Sequence, residues 1–332
     1  MKKISSGFGR AAGALILLLG GCVNHAPPAD PIAALTEAQI AEFYRRAADP
    51  RRFFLTAQQA SEKDMPVFAN ANRQPDGRLA LVPFDPAGRS ALPLIRGFGA
   101  ADREFTALLD TSSKENWIAF DAVAPLGVTP LGPRAYRLLP GQVRDDVAGY
   151  LCVMPLARVD DLRIEALTVF ARAARGPLWP LTREASTAGA GMVWGMNLLR
   201  SFAYVHFDFP NRAVLFSSET PYPSRPELLV ARLPMQNVEG CLAVGGTLDG
   251  APATFILDTA GDYELALAEP PAGLVRQISL GDWVLRNVRP VAHREKALRR
   301  EEVPHIGNRL LARYRLTLDN IAQAVYVETP EL

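Results

Sequence analysis

Two short blocks carry the side chains with the clearest chemical potential. The first is Phe105-Thr106-Ala107-Leu108-Leu109-Asp110-Thr111-Ser112-Ser113, and the second is Ala253-Thr254-Phe255-Ile256-Leu257-Asp258-Thr259-Ala260-Gly261. In each, an apolar run leads straight into Asp-Thr and then small residues, which sets a carboxylate at the start of a tight loop. One such carboxylate is most simply a strand-ending acid. Two in the same setting are candidates for a shared task, because carboxylates brought together hold a common proton and serve general acid-base chemistry.

The blocks belong to a longer internal repeat. Val193-Trp194-Gly195-Met196-Asn197-Leu198-Leu199, with Phe202 and Asp208 after it, matches His305-Ile306-Gly307-Asn308-Arg309-Leu310-Leu311, with Tyr314 and Asp319. Ala213-Val214 and Ala324-Val325 each follow their Asp at the same distance. A weaker pair is Val159-Asp160-Asp161-Leu162-Arg163-Ile164 against Ile278-Ser279-Leu280-Gly281-Asp282-Trp283. The pattern reads as a duplicated unit with one Asp per copy.

Other chemistries fit poorly. Ser186, Ser201, His206 and Asp208 suggest a Ser/His/Asp set, but no Gly-x-Ser-x-Gly elbow exists and His206 lies in a β-like run, where a structural role is expected. Four scattered His and three Cys make a dedicated zinc cluster unexpected. No metal or other cofactor is expected. Gly245-Gly246 and Asp249-Gly250 read as a hairpin turn and lack the following helix that phosphate binding needs. Trp117 and Trp194 read as core. The 332 residues carry 36 basic and 35 acidic side chains, a balance that offers no field for nucleic acid.

Lys2, Lys3 and Arg10 precede the short apolar run Ala11–Leu19, which reads as a signal peptide over residues 1–21. Leu19-Gly20-Gly21-Cys22 resembles the bacterial lipobox, which makes Cys22 the expected lipidation site and new N-terminus. Val23 after it fits the outer membrane, with a soluble body facing the periplasm and touching the membrane only through its anchor. Cleavage removes three basic residues and no acid, turning the formal charge from +1 to −2. Cys152 and Cys241 remain, either as a disulfide or as buried thiols.

Residues 22–35 read as a Pro- and Ala-rich tether. A helix is expected from Thr36, with Thr36-Glu37-Ala38-Gln39 as a capping box, and a second over Arg52–Lys63, together a helical appendage over 36–75. Beyond it come short β-like runs broken by Gly and Pro: Leu79–Phe84, Phe105–Leu109, Ala148–Met154, Leu167–Ala173, Ala203–Phe207, Gly240–Val244, Ala253–Leu257, Trp283–Val288, Arg315–Leu318 and Ala324–Val327. They divide into regions 76–216 and 229–330, joined by the Pro- and Ser-rich linker 217–228.

These blocks resemble the aspartic-protease family in its retropepsin-like bacterial branch. The residues that carry the resemblance are the two Asp-Thr motifs, Val193-Trp194-Gly195 and His305-Ile306-Gly307, and the run from Gly195 to Asn211. The resemblance covers about residues 79–328. It implies a mainly β, bilobal aspartic-protease fold with two homologous barrel-like lobes, acting as a monomer that is an internal pseudo-dimer. It further implies peptide hydrolysis by water held between Asp110 and Asp258, with Thr111 and Thr259 bracing the loops. The family's third motif residue is Gly, where this chain has Ser112 and Ala260; the fourth position is Ser113 against Gly261. A Cβ at the third position is expected to crowd the loop. Ser113 is expected to donate to Asp110, leaving Asp258 as the proton holder. A flap is expected over Arg134–Met154 in the first lobe, with Tyr136 or Tyr150 near the cleft, and none in the second. The alternative is a degenerate protease fold that binds a peptide or envelope protein without cutting it.

Overall fold

The computed structural model describes residues 37–53, 55–58, 67–69, 78–85, 92–131, 137–138, 149–172, 191–293 and 303–330. The signal segment, Cys22, the tether and the Thr36 cap lie outside them. Each of the ten β-like runs overlaps a strand, and the chain is mainly β. Alternation explains the strands locally. In Leu79–Pro83, Ala80 and Val82 face inward while Leu79, Leu81 and Pro83 face out.

The strands form two barrel-like sheets with matching connectivity. In the first, the order is Leu162–Arg172, Trp117–Ala119, Met192–Trp194, Glu104–Leu109, Leu94–Phe98 and Gly149–Val159, and the last strand pairs back with the first. In the second, Pro290–Ala292, Leu265–Leu267, His305–Gly307, Ala251–Asp258, Cys241–Leu248 and Val275–Leu280 follow in the same roles. Val275–Leu280 pairs with Trp283–Val288, which runs on past Arg289 into Pro290–Ala292, so the chain itself completes the circuit. In both sheets the strand that ends in Asp-Thr lies parallel to the short strand that ends in Gly. The weak repeat is a hairpin in both copies, but the match is displaced by two residues, since the turns begin at Asp160 (φ 51°) and Gly281 (φ 55°).

A six-stranded antiparallel sheet joins the halves in the order Leu229–Pro234, Ala324–Glu328, Arg315–Asp319, Tyr204–Asp208, Ala213–Ser217 and Leu79–Pro83. The order is palindromic. The sequence offset that relates Asp208 to Asp319 also relates His206 to Thr317, and these two residues pair across the centre. One apolar core runs through both barrels and under this sheet, so the described residues form a single compact unit.

Several expectations are corrected. The described part of Arg52–Lys63 is not helical: Pro50–Phe53 is a single 3-10 turn, and Thr56–Gln58 pairs antiparallel with Val67–Ala69. The backbone donors there are satisfied by a ribbon partner that no local pattern reveals. Among the described residues the appendage keeps one α-helix, Glu37–Tyr44, whose Phe43 and Tyr44 rings pack on Tyr150. Tyr150 is fully buried there and does not cover a cleft. Tyr136 and most of the expected flap lie outside the described residues, but its stems do pair, Arg137 with Tyr150 and Leu138 with Gly149. Residues 268–274 of the second half contain no strand. Gly245 and Gly246 sit inside Cys241–Leu248; the turn is Asp249-Gly250 alone, with φ of 48° and 88° as a type I′ turn requires. A Cβ on Gly246 would stand 2.4 Å from the Ser279 carbonyl, so this glycine permits strand contact. Cys152 and Cys241 are buried thiols with no disulfide. Among the described residues, no helix is long and apolar enough to cross a membrane.

The linker is pinned to the central sheet. Tyr222 donates its hydroxyl to Glu328 at 2.7 Å, and its backbone N–H donates to Asp319 at 3.1 Å. Its ring stacks on His206 at 5.2 Å, while His206 Nδ1 lies 2.7 Å from Thr317 Oγ1. Burial pushes the His206 imidazole down from 6.5 to about 4, against the nearby Asp208 and Glu328 charges. The unfolded chain therefore binds a proton that the folded chain refuses, and stability falls as pH drops from about 6.5 toward 4. Urea unfolding should show a loss on the order of 2 kcal/mol over that range, after discounting for solvent screening, that His206→Gln lacks.

Candidate functional site

Each Asp-Thr loop is set by its strand and by the parallel strand beside it. Asp110 donates its backbone N–H to the Trp194 carbonyl at 3.0 Å, and Asp258 pairs with Gly307. The glycines are required by close approach. A Cβ on Gly195 would lie 2.3 Å from the Glu115 carbonyl, and one on Gly307 would lie 2.3 Å from the Tyr263 carbonyl. Short helices follow both glycines, Met196–Leu199 and Asn308–Leu311. Their first N–H groups reach back to Ser113 and Gly261, each at 2.8 Å.

The two loops meet through their threonines. Thr111 N–H donates to Thr259 Oγ1 at 3.1 Å, and Thr259 N–H donates to Thr111 Oγ1 at 3.2 Å. Thr259 Oγ1 donates to the Leu109 carbonyl at 2.7 Å, and Thr111 Oγ1 donates to the Leu257 carbonyl. Both threonines are fully buried. Asp110 and Asp258 each precede one of these threonines.

Both carboxylates are buried, at 2% and 6% exposure, so their charge must be met by donors. Asp110 Oδ1 accepts the Ser112 N–H at 2.8 Å, and Asp258 Oδ1 accepts the Ala260 N–H at 3.0 Å. The third-position Cβ atoms therefore leave the holding amides in place, contrary to the expected crowding. The tight glycine is the fourth residue of the second loop: a Cβ on Gly261 would lie 2.6 Å from Asp258 Oδ2.

The side chains around the two acids differ. Ser112 Oγ donates to Asp110 Oδ1 at 2.7 Å. Ser113, expected in that role, instead donates to the Glu115 carbonyl at 2.9 Å and accepts Trp117 Nε1 at 3.0 Å. The turn aims Ser112 at the acid and Ser113 toward its own loop. On the second side Tyr263 donates its hydroxyl to Asp258 Oδ2, and His305 Nδ1 stands 3.8 Å from the same oxygen. Burial pushes the Asp258 carboxyl up, but His305, Tyr263 and the Ala260 N–H together hold it below the ordinary carboxylate value. These neighbours run counter to the expectation that Asp258 holds the proton.

Tyr263 and His305 escaped the sequence reading. The one signal was His305 itself, a polar residue in a triplet whose counterpart, Val193-Trp194-Gly195, is apolar. Of the rejected triad residues, His206 and Asp208 sit in the central sheet, Ser201 Oγ donates to the Leu198 carbonyl at 2.7 Å, and Ser186 lies outside the described residues. Trp117 and Trp194 are buried core residues.

The threonine contact gives a direct test. Thr259→Val keeps the shape but leaves the Leu109 carbonyl and the Thr111 N–H without their partner, so chemical unfolding should show a loss of about 3 kcal/mol. Thr259→Ser, which retains the hydroxyl, should lose less than about 1 kcal/mol.

No protein-family model matches this chain, and no curated protein matches it.

Proposed function

We propose that this chain is an aspartic-type endopeptidase of the retropepsin-like kind, in a bilobal aspartic-protease fold, tethered through Cys22 and facing the periplasm from the outer membrane. The observation that carries the reading is the reciprocal Thr111–Thr259 contact, which sets Asp110 and Asp258 on either side of one buried junction.

The chemistry needs no covalent intermediate. A water between the carboxylates gives a proton to the ionised acid as its oxygen attacks the scissile carbonyl. The protonated acid donates to the carbonyl oxygen and stabilises the resulting diol. Collapse of the diol breaks the C–N bond and returns a proton to the leaving amine. The substrate is extended polypeptide, and no nucleic acid or second chain takes part.

A second reading also has an observation behind it. Asp258 Oδ2 is already engaged by Tyr263 and His305, and Asp110 is nearly closed to solvent, as expected of a fold that binds a peptide without cutting it.

The test uses the chain from residue 22 onward with Cys22→Ser, incubated with a peptide library from mildly acidic to neutral pH. Cleavage reduced about 10³-fold in both Asp110→Asn and Asp258→Asn is expected. Peptide binding without cleavage by the unmodified site supports the second reading, and cleavage that survives both substitutions removes the first.

A further inference from the structure

The two acids have unequal neighbours, and the inequality is built into the second half. His305 opens the strand beside Ala251–Asp258, where it pairs with Ile256. It is 3% exposed. Its Nδ1 lies 3.8 Å from Asp258 Oδ2 and 3.5 Å from the Tyr263 hydroxyl. The first half carries Val193 at the matching position, where it pairs with Leu108.

The fold makes deliberate room for Tyr263. A Cβ on Gly261 would lie 2.5 Å from its Cζ, and one on Gly307 would lie 2.4 Å from its Cδ2. The ring thus occupies space that two glycines leave open. The residues on either side of it are clamped to the following helix and turn. Asp262 pairs with Arg309 through contacts of 2.8 and 3.1 Å, and Glu264 pairs with Arg313 at 3.1 Å. Glu115 takes the place of Tyr263 in the first half and bonds Asn197, away from Asp110.

We propose that His305 and Tyr263 are positioning residues that hold Asp258 as the carboxylate of the pair, with the Tyr263 O–H donating to Oδ2 and the His305 ring standing beside both. The inference rests on the reading of Asp110 and Asp258 as an acid-base pair, and within it Asp258 is the general base while Asp110 carries the shared proton. A hydroxyl donating to one oxygen, with an imidazole beside it, favours the charged form of that acid. Among the described residues, the titratable groups that face His305 are Asp258, Tyr263 and His293, whose ring meets it edge-on at 4.2 Å. His305 Nε2 is buried without a hydrogen-bond partner among the described residues.

The experiment is a carbon-13 titration of aspartate side-chain carboxyls in the unmodified chain, with the two site signals assigned by Asp110→Asn and Asp258→Asn. Asp258 is expected to titrate below Asp110, and the reverse order overturns the proposal without any further variant. His305→Val, which copies the residue of the first half, and Tyr263→Phe should each raise the Asp258 midpoint by about one pH unit, a tenfold change in its protonation. Circular dichroism and thermal unfolding check that each variant folds, and His305→Gln replaces His305→Val if it does not. In peptide hydrolysis, the acid limb of the pH profile should move up by the same amount in both variants. Folded variants with an unchanged Asp258 midpoint sink the inference. A shifted midpoint in a chain that cleaves no peptide leaves the inference standing and removes the peptidase reading.

Discussion

Four hydrogen bonds between Thr111 and Thr259 and the strands they end constrain everything else in this protein. Each hydroxyl accepts the opposite threonine's N–H and donates to a carbonyl of the opposite strand. All of these groups are buried, and an unpaired one costs about 1–3 kcal/mol, so rotating or sliding one half against the other is strongly opposed. The contact is nearly two-fold symmetric, and that symmetry must extend outward. The two parallel strand pairs, the two glycines and the two short helices obey it because each positions one copy of the same loop.

The central sheet holds the same symmetry at a second place. His206 and Thr317 are counterparts that meet at its centre, and three strands from each half flank them in mirrored order. Two symmetric contacts, one at the acids and one in the sheet, hold the halves as one body. The continuous apolar core fills the space between them. The linker is more than a spacer, since Tyr222 joins it to both Asp319 and Glu328 and covers His206 with its ring.

Against that symmetric frame, the acids are treated differently. Both are buried, and both receive the N–H of the second residue along. Asp110 also accepts a serine hydroxyl, and Asp258 a tyrosine hydroxyl with an adjacent imidazole. Donors around a buried acid shift its balance between charged and neutral forms. On the second side the hydroxyl is a tyrosine's and an imidazole stands beside it.

The duplication, most of the strands and the residues Asp110, Thr111, Asp258 and Thr259 were legible in the sequence itself. Alternating apolar runs, turn residues and a repeat offset are local or periodic features, and strands follow from them. The glycines of Val193-Trp194-Gly195 and His305-Ile306-Gly307 were legible for the same reason. The direction of a side chain at a turn was not. Whether Ser112 or Ser113 meets Asp110 depends on backbone angles over two residues, and the tertiary structure chose Ser112. The partners of Tyr263 and His305 were also hidden, because the strand holding Asp258 and the one holding His305 are brought side by side only by the parallel pairing. The same holds for Thr56–Gln58, whose partner strand decides its conformation, and for Cys241, whose thiol meets the Ser112 carbonyl of the other half at 2.7 Å and not Cys152. The sequence alone determined which residues repeat. Tertiary contact determined how the two copies differ, because the donors that set an acid apart come from strands distant along the chain.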